Sequence, residues 1–302
     1  MNRTPARVAM AALACFGLSA CTPAVSAFDN DPGETGYDVS HIEAVPEIAA
    51  QVPENIRARG VLRNGASTNW PPLEYRKSDG QTPTGYEIDL TRALAKVMGL
   101  RDGTTQHTEF DALLPQIGTK FDVGLSGFTV TKERLQSFNM IAYSQAGTSW
   151  AVAAGNPAAF TPEDPCGFTI GVQTGTSQYD FLKETSAQCE AEGKPEITIM
   201  PMQSQAQISV KVASGQYDAT LADSPVIGYS VVRTEGKLEH IGEEFDSAPQ
   251  AVVVPLDDPE LAQAVEDALN YLIDTGELEK ILSYYGASGI ALPHATLNPE
   301  VN

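Results

Sequence analysis

At 302 residues the chain is long enough for two domains, and its 42% hydrophobic content is ordinary for a soluble globular protein. The formal net charge is −20; the first twenty residues hold two arginines and no acids, so the remainder carries −22. This excludes nucleic acid as a partner, which would need a basic footprint, and says little about fold.

Residues 1–20 read as a secretory signal. Arg3 and Arg7 make a positive start, Val8–Ala20 is apolar, and small residues close it. The apolar run is too short to span a bilayer as a helix. Leu18-Ser19-Ala20-Cys21 resembles the bacterial lipoprotein processing box, in which Cys21 becomes the lipidated first residue; the alternative is an ordinary signal cleaved nearby, after Ala27. Thr22 to about Ser40 is rich in Pro, Gly, Ala, Asp and Thr and reads as a flexible tether. His41–Arg59 is expected to hold a short capping helix, because Pro46 and Pro53 break anything longer.

Val61–Ala66 reads as a strand, and Asn69-Trp70-Pro71-Pro72 as a loop, since residues before proline avoid helix. Tyr86–Met98 is an amphipathic helix with Tyr86, Leu90, Ala93, Leu94 and Val97 on one face and Gly99 just past its end. Asp111–Ile117 is expected to be a second helix, with Pro115 early enough to be tolerated. Next comes Phe121–Arg134, F-D-V-G-L-S-G-F-T-V-T-K-E-R. Its apolar run Val123–Leu125 reads as a buried strand ending in small hydroxyl and glycine residues, followed by one guanidinium, Arg134. Hydroxyls and backbone amides at the C-terminal end of a strand, beside an arginine fork, suit a bound carboxylate.

A later stretch parallels this one. Gly215–Asp223, G-Q-Y-D-A-T-L-A-D, matches Gly118–Ser126, G-T-K-F-D-V-G-L-S: a helix-stopping glycine, an aromatic–Asp pair, a short strand and a polar residue at the strand end. The first copy delivers hydroxyls and an arginine, the second a carboxylate, Asp223. Two half-sites of opposite charge suit a zwitterion held between two similar lobes. Between them, Ser149–Ala154 and Thr169–Gln173 read as strands, with a helix starting near Thr176-Ser177 whose turn presents backbone donors to an anion. The Lys-Ser/Thr pair of a phosphate loop is missing. Glu196–Met200 reads as a strand, Ala206–Ser214 as a helix, Ala219–Leu221 as a strand and Pro225–Val232 as a helix. Gln250–Pro255 is a strand, Leu261–Leu272 a long helix ended by Gly276, and 288–302 looks frayed.

Of four cysteines, Cys15 would leave with the signal and Cys21 would carry lipid. The remaining pair, Cys166 and Cys189, is expected to form a disulfide in an exported chain, which stabilises by roughly 3 kcal/mol in the chain-entropy model. No histidine pair has zinc-ligand spacing, no Ser–His–Asp order stands out, and no cofactor is expected. His107, His240 and His294 read as surface residues. The alternation of strands and helices gives an α/β class.

Six motifs in order resemble the bacterial extracellular solute-binding proteins of the polar amino-acid type, the receptor components of ABC importers. They are W-P-P-L-E-Y at Trp70–Tyr75, G-Y-E-I-D-L at Gly85–Leu90, F-D-A-L-L-P at Phe110–Pro115, the Phe121–Arg134 stretch, G-V-Q-T-G-T-S at Gly171–Ser177 and L-A-D-S-P-V at Leu221–Val226. The resemblance implies a two-lobed periplasmic-binding fold with two hinge-crossing strands, closing on its ligand. Lobe 1 would be 60–147 with 249–286, lobe 2 would be 148–248, with 21–59 as tether and cap and 287–302 as a tail. It also implies an amino-acid ligand, permease subunits as partners, attachment to the membrane through lipid on Cys21, and a monomer.

By the same resemblance, Arg134 pairs with the ligand's α-carboxylate, with Ser126 and Thr129 beside it and Thr176 and Ser177 reaching from the second lobe. Asp223 takes the α-ammonium, and Trp70 and Phe110 sandwich the ligand, although Phe110 could equally be core. Asn69 and Gly127 complete the expected set. The chain departs from the family at Trp70, usually Tyr or Phe, and at Gly127, often Ser. The positions before Trp70 are Ser67, Thr68 and Asn69, all uncharged, so neutral polar amino acids rank first; acidic ones come second, if Arg76 or Lys77 turns inward, and cationic ones last. The rival reading is a periplasmic dehydratase of the cyclohexadienyl type on the same fold, which would need a general acid in the cleft, Glu74 or Glu133 being the candidates.

Overall fold

The computed structural model describes Asp31 to Val301; the signal-like segment, Cys15 and Cys21 lie outside these residues. No helix among them is long and apolar enough to cross a membrane. Three short helices lead in: α1 (Pro32–Thr35), α2 (Pro46–Gln51) and α3 (Glu54–Arg59). Pro46 sits in the first turn of α2, where its missing N–H costs nothing, and Pro53 caps α3. The prolines therefore divide the expected cap helix into two.

The body alternates strand and helix. It begins with β1 (Val61–Ala66), the small hairpin β2 (Tyr75–Arg76) and β3 (Pro83–Thr84), α4 (Tyr86–Val97) and β4 (Asp102–His107). All five residues expected on the apolar face of α4 are buried. The helix expected at Asp111–Ile117 is instead two 3₁₀ turns, Phe110–Ala112 and Leu114–Gln116, consistent with Pro115, which cannot donate to a continuing helix. There follow β5 (Val123–Thr129), α5 (Lys132–Leu135), β6 (Phe138–Ala153), β7 (Thr169–Gln173), α6 (Ser177–Ala191), β8 (Thr198–Met202), α7 (Gln205–Ala213), β9 (Ala219–Asp223) and α8 (Ser224–Arg233). The chain ends with β10 (Leu238–Pro255), α9 (Pro259–Asp274), α10 (Glu277–Tyr284) and β11 (Ala291–Leu297).

One nine-stranded sheet runs in the order β4-β1-β5-β10-β6-β9-β7-β8, with β11 pairing β6. Its first half is the parallel set β4-β1-β5 and its second half the parallel set β9-β7-β8. The two long strands β6 and β10 pair antiparallel and run through both halves, from Phe138↔Pro255 to Ala153↔Leu238. The C-terminal segment is not frayed: β11 is an antiparallel partner of β6, and Asn298 exchanges hydrogen bonds with Met140. Its sequence lacks the alternation that marks an isolated strand; pairing to an existing edge supplies the order.

The internal repeat is structural. Asp122 accepts the N–H of Arg63 and donates its own to Arg63's carbonyl, stapling β5 to β1; Asp218 does the same with Thr169, stapling β9 to β7. The aromatic before each Asp lies on a glycine of the neighbouring strand. A Cβ on Gly65 would stand 2.3 Å from the Phe121 ring, and one on Gly171 would stand 2.8 Å from Tyr217. The same device thus fixes β5 and β9 in their sheets; β9 ends at Asp223 as expected, whereas β5 runs past Ser126, which lies at its middle, to Thr129. In the second half a disulfide joins Cys166 to Cys189, as the cysteine count required.

The lead-in segment touches both halves. The Asp31 carboxylate accepts from Tyr75 Oη at 2.6 Å, on β2, and from Tyr229 Oη at 2.9 Å on α8, with Arg233 at 3.6 Å. Hydrogen bonds to a charged acceptor contribute about 1.5–3 kcal/mol. Asp31→Ala is therefore expected to lower the melting temperature by several degrees; an unchanged melting curve would show that this clasp holds nothing.

Candidate functional site

The C-terminal stretches of β5 and β9 border a small, narrow cavity. Nine of the ten residues expected at the site line it: Trp70, Phe110, Ser126, Gly127, Thr129, Arg134, Thr176, Ser177 and Asp223. Asn69 does not. Its N–H bonds the Ser67 carbonyl in the tight turn before Trp70, and it is not among the lining residues. Three glutamines are additions: Gln173 and Gln178 line the wall, and Gln250 on β10 lies behind Asp223.

Arg134 stands between the halves. One Nη donates to the Thr129 carbonyl at 2.8 Å and the other to the Gly175 carbonyl at 3.3 Å. The guanidinium lies 5.6 Å from the centroid of Phe110 and 5.4 Å from that of Phe128, rings that are themselves stacked. Phe110 is therefore both core and wall. Two of the five N–H donors go to carbonyls; the planar fork keeps the rest for a carboxylate. Burial pulls the Arg134 pKa down, and the charges of Asp180, Asp223 and Glu133 oppose it. Across the cavity, α6 begins at Ser177, and its first N–H groups have no partner within the helix. The Thr176 hydroxyl is the N-cap, accepting from the Tyr179 N–H and donating to the Gln173 carbonyl. It shapes the helix end and is not a free donor. Ser177 Oγ comes within 3.5 Å of Thr129 Oγ1, so hydroxyls from the two halves meet.

Asp223 occupies the N-cap position of α8 but spends no side-chain bond on capping. Its Oδ2 accepts from Trp70 Nε1 at 3.1 Å and Gln250 Nε2 at 2.9 Å, and its Oδ1 from Gln178 Nε2 at 2.9 Å. Burial pushes its pKa up to about 6; the Trp70 and Gln178 bonds and Arg134 work against this, and Glu87 adds to it. A cation entering here supplies the missing counter-charge. Trp70, from the first half, reaches a carboxylate of the second, which a phenylalanine at this position could not do.

Gly127 has φ +59°, a left-handed conformation that side chains resist, and a Cβ would stand 2.9 Å from Leu73 Cδ2. The missing hydroxyl at this position thus follows from backbone geometry. At the remaining wall, Gln173 is 1% exposed; its Nε2 is 3.4 Å from Ser67 Oγ, while its Oε1 has no partner. Arg76 and Lys77 bond into their own loop and the lead-in segment, to Thr68 and Glu34, and do not line the cavity. Outside the mouth, a groove holds Glu133, Asp180, Glu184 and Asp246 next to Arg134. No group of three or more His, Cys, Asp or Glu among the described residues could hold a metal ion. His107 is not a free surface residue: its Nδ1 accepts the Thr68 N–H, and its Nε2 is 3.3 Å from Glu109.

Residues 62–288 match the family described as bacterial extracellular solute-binding proteins, family 3. An arginine-binding protein of Corynebacterium glutamicum is 40% identical over 268 residues, covering 88% of this chain and 87% of that protein. Among solved structures, an ancestral arginine-binding protein bound to arginine superposes with a TM-score of 0.68 at 26% identity, covering 76% of this chain and 99% of that one. An ancestral amino acid-binding protein, a precursor of cyclohexadienyl dehydratase, gives 0.63 at 28% identity, covering 77% and 98%.

Proposed function

The chain belongs to the bacterial extracellular solute-binding proteins, family 3, and from that premise we propose that it captures a free amino acid between two lobes and delivers it to an ABC importer. The observation that carries this is that Arg134 and Asp223, groups of opposite charge, line one cavity together. The α-carboxylate goes to the Arg134 fork and the first amides of α6, and the α-ammonium goes to Asp223. Lobe 1 is 60–147 with 249–286 and lobe 2 is 148–248, hinged on β6 and β10; β11 extends lobe 1. The protein acts as a monomer held to the membrane through lipid on Cys21.

The ligand's side chain is cationic, with arginine first. The unpartnered Gln173 Oε1 asks for a hydrogen-bond donor, which a guanidinium offers and a carboxylate does not. The acidic groove at the mouth raises the local concentration of cations. The similarity to an arginine-binding protein supports the same choice. This reverses the order expected from Ser67, Thr68 and Asn69, which assumed that the distal group is read only from the segment before Trp70. It also removes the support for acidic ligands, since Arg76 and Lys77 face elsewhere.

A dehydratase would need a proton donor besides the ion-pairing groups. Glu74 is fully buried behind Ser126 and Glu133 is exposed on α5. Neither lines the cavity, which supports binding without catalysis. Titrating arginine, lysine, glutamine and glutamate while recording intrinsic fluorescence tests the reading, because Trp70 touches Asp223 directly. Arginine is expected to bind tightest. Glutamate binding tightest would overturn the side-chain assignment, and no response to any amino acid would overturn the function.

A further inference from the structure

Beneath the cavity floor lie two carboxyl groups that ligand binding does not use. Glu74 follows the Trp70 loop, Glu87 is in the first turn of α4, and both are fully buried. Glu74 Oε1 accepts from Ser126 Oγ at 2.8 Å, and Glu74 Oε2 meets no donor. Glu87 Oε2 accepts the Gly127 N–H at 2.9 Å, and its Oε1 accepts from Tyr143 Oη at 2.6 Å. Ser126 and Gly127 are consecutive in β5, so these bonds gather the two carboxyls at one buried place. Carboxylate oxygens only accept, so a bond between the two would require a proton.

We propose that Glu74 holds a proton which it donates to Glu87, and that this neutral–anionic pair is a positioning device that fixes Ser126 and Gly127 at the cavity wall. The groups facing the pair are Tyr86 on α4, Tyr143 on β6 and Asp223 at the end of β9; none is cationic. Two ionised carboxylates in one dry site repel, so one of them stays protonated. The donors decide which. Glu87 already receives an N–H and an O–H, the surroundings of an anion, whereas Glu74 has the oxygen without a donor. Burial first, then Glu87 and Asp223, holds the Glu74 carboxyl well above the usual carboxylate range. The bond to Glu87 pins Gly127 in its left-handed conformation. The bond to Glu74 turns the Ser126 O–H away from the cavity while the Ser67 N–H donates to its oxygen. A neutral Glu74 also spares Asp223 a second nearby negative charge, leaving it free to ionise near neutral pH.

Infrared spectroscopy of the full chain at about pH 8, where Asp223 is ionised, tests the proton without any ligand. The wild type is expected to show the C=O stretch of a protonated buried carboxyl, which Glu74→Gln removes and Asp223→Asn does not. The remaining arms rest on the ligand site proposed above and read arginine affinity against pH. Glu74→Gln keeps a neutral donor and should bind within about twofold of wild type, with the same pH midpoint. Glu87→Gln keeps only one acceptor oxygen for three donors and should lose about tenfold or more. No carboxylic band in the wild type would overturn the proposal even if neither variant folded. So would an acid shift of the pH midpoint in Glu74→Gln, since that would mean its charge had been acting on Asp223. Failure of wild type to bind arginine while the band is present would count against the ligand assignment alone.

Discussion

Arg134→Ala is expected to lower affinity for the amino acid by two orders of magnitude or more while the protein stays folded. On the proposed reading the ligand carboxylate sits against Arg134, and the other donors lining the cavity are hydroxyls, amides and the Trp70 indole. Removing the partner of a buried charge costs about 3–5 kcal/mol. The fold should survive because Arg134 bonds only carbonyls at the cavity edge, those of Thr129 and Gly175, and lies against rings that stack on each other without it. Arg134→Lys should recover only part of the loss, because an ammonium is a point donor and cannot grip two oxygens in one plane. Calorimetry with the variant decides: less than a tenfold loss would remove Arg134 from the carboxylate site.

Affinity is also expected to depend on acid through Asp223. Its carboxyl titrates at about 6 in the folded protein, raised by burial from 3.8. The ligand ammonium needs the ionised form, so binding below pH 6 must first expel a proton, and affinity should fall about tenfold per pH unit there. Above pH 7 it should be flat. Folding stability runs the other way. A carboxyl whose folded pKa is raised contributes stability present below 3.8 and lost as pH rises through about 6. Between those values the empty protein should gain stability from this group while ligand-induced stabilisation collapses. Asp223→Asn should abolish the acid limb and bind weakly at every pH, since one amide oxygen cannot serve the Trp70, Gln178 and Gln250 donors together. An acid limb that persists unchanged in Asp223→Asn would assign the titration to another group.

Much of the site was legible because its groups sit at or near the ends of short buried strands. Apolar runs closed by a polar residue are local patterns, and repeating the pattern with its aromatic–Asp pair marked Ser126 and Asp223 as counterparts. The glutamines were not legible. Gln173, Gln178 and Gln250 are ordinary polar residues in sequence, and nothing nearby shows that Gln250, in a strand crossing the hinge, reaches a carboxylate 27 positions away. Asn69 was expected inside because it neighbours Trp70, but a neighbour in a tight turn need not share the cavity wall. Glu74 looked like a possible acid for catalysis; its partner Glu87 lies on a helix, and only packing brings the two together.

The sequence by itself determined the α/β alternation, the paired half-sites, the placement of Arg134 and Asp223 at the cleft, and the Cys166–Cys189 bond. Each rests on residue type, spacing or count along a short stretch. Only the tertiary structure decided that β11 pairs β6, that Gly127 is left-handed and bonded to Glu87, and that Gln173 Oε1 is left buried without a partner in the cavity wall. These depend on which groups remain unsatisfied once distant segments are packed, and hydrogen-bond satisfaction is a property of the assembled interior that no local window of sequence contains.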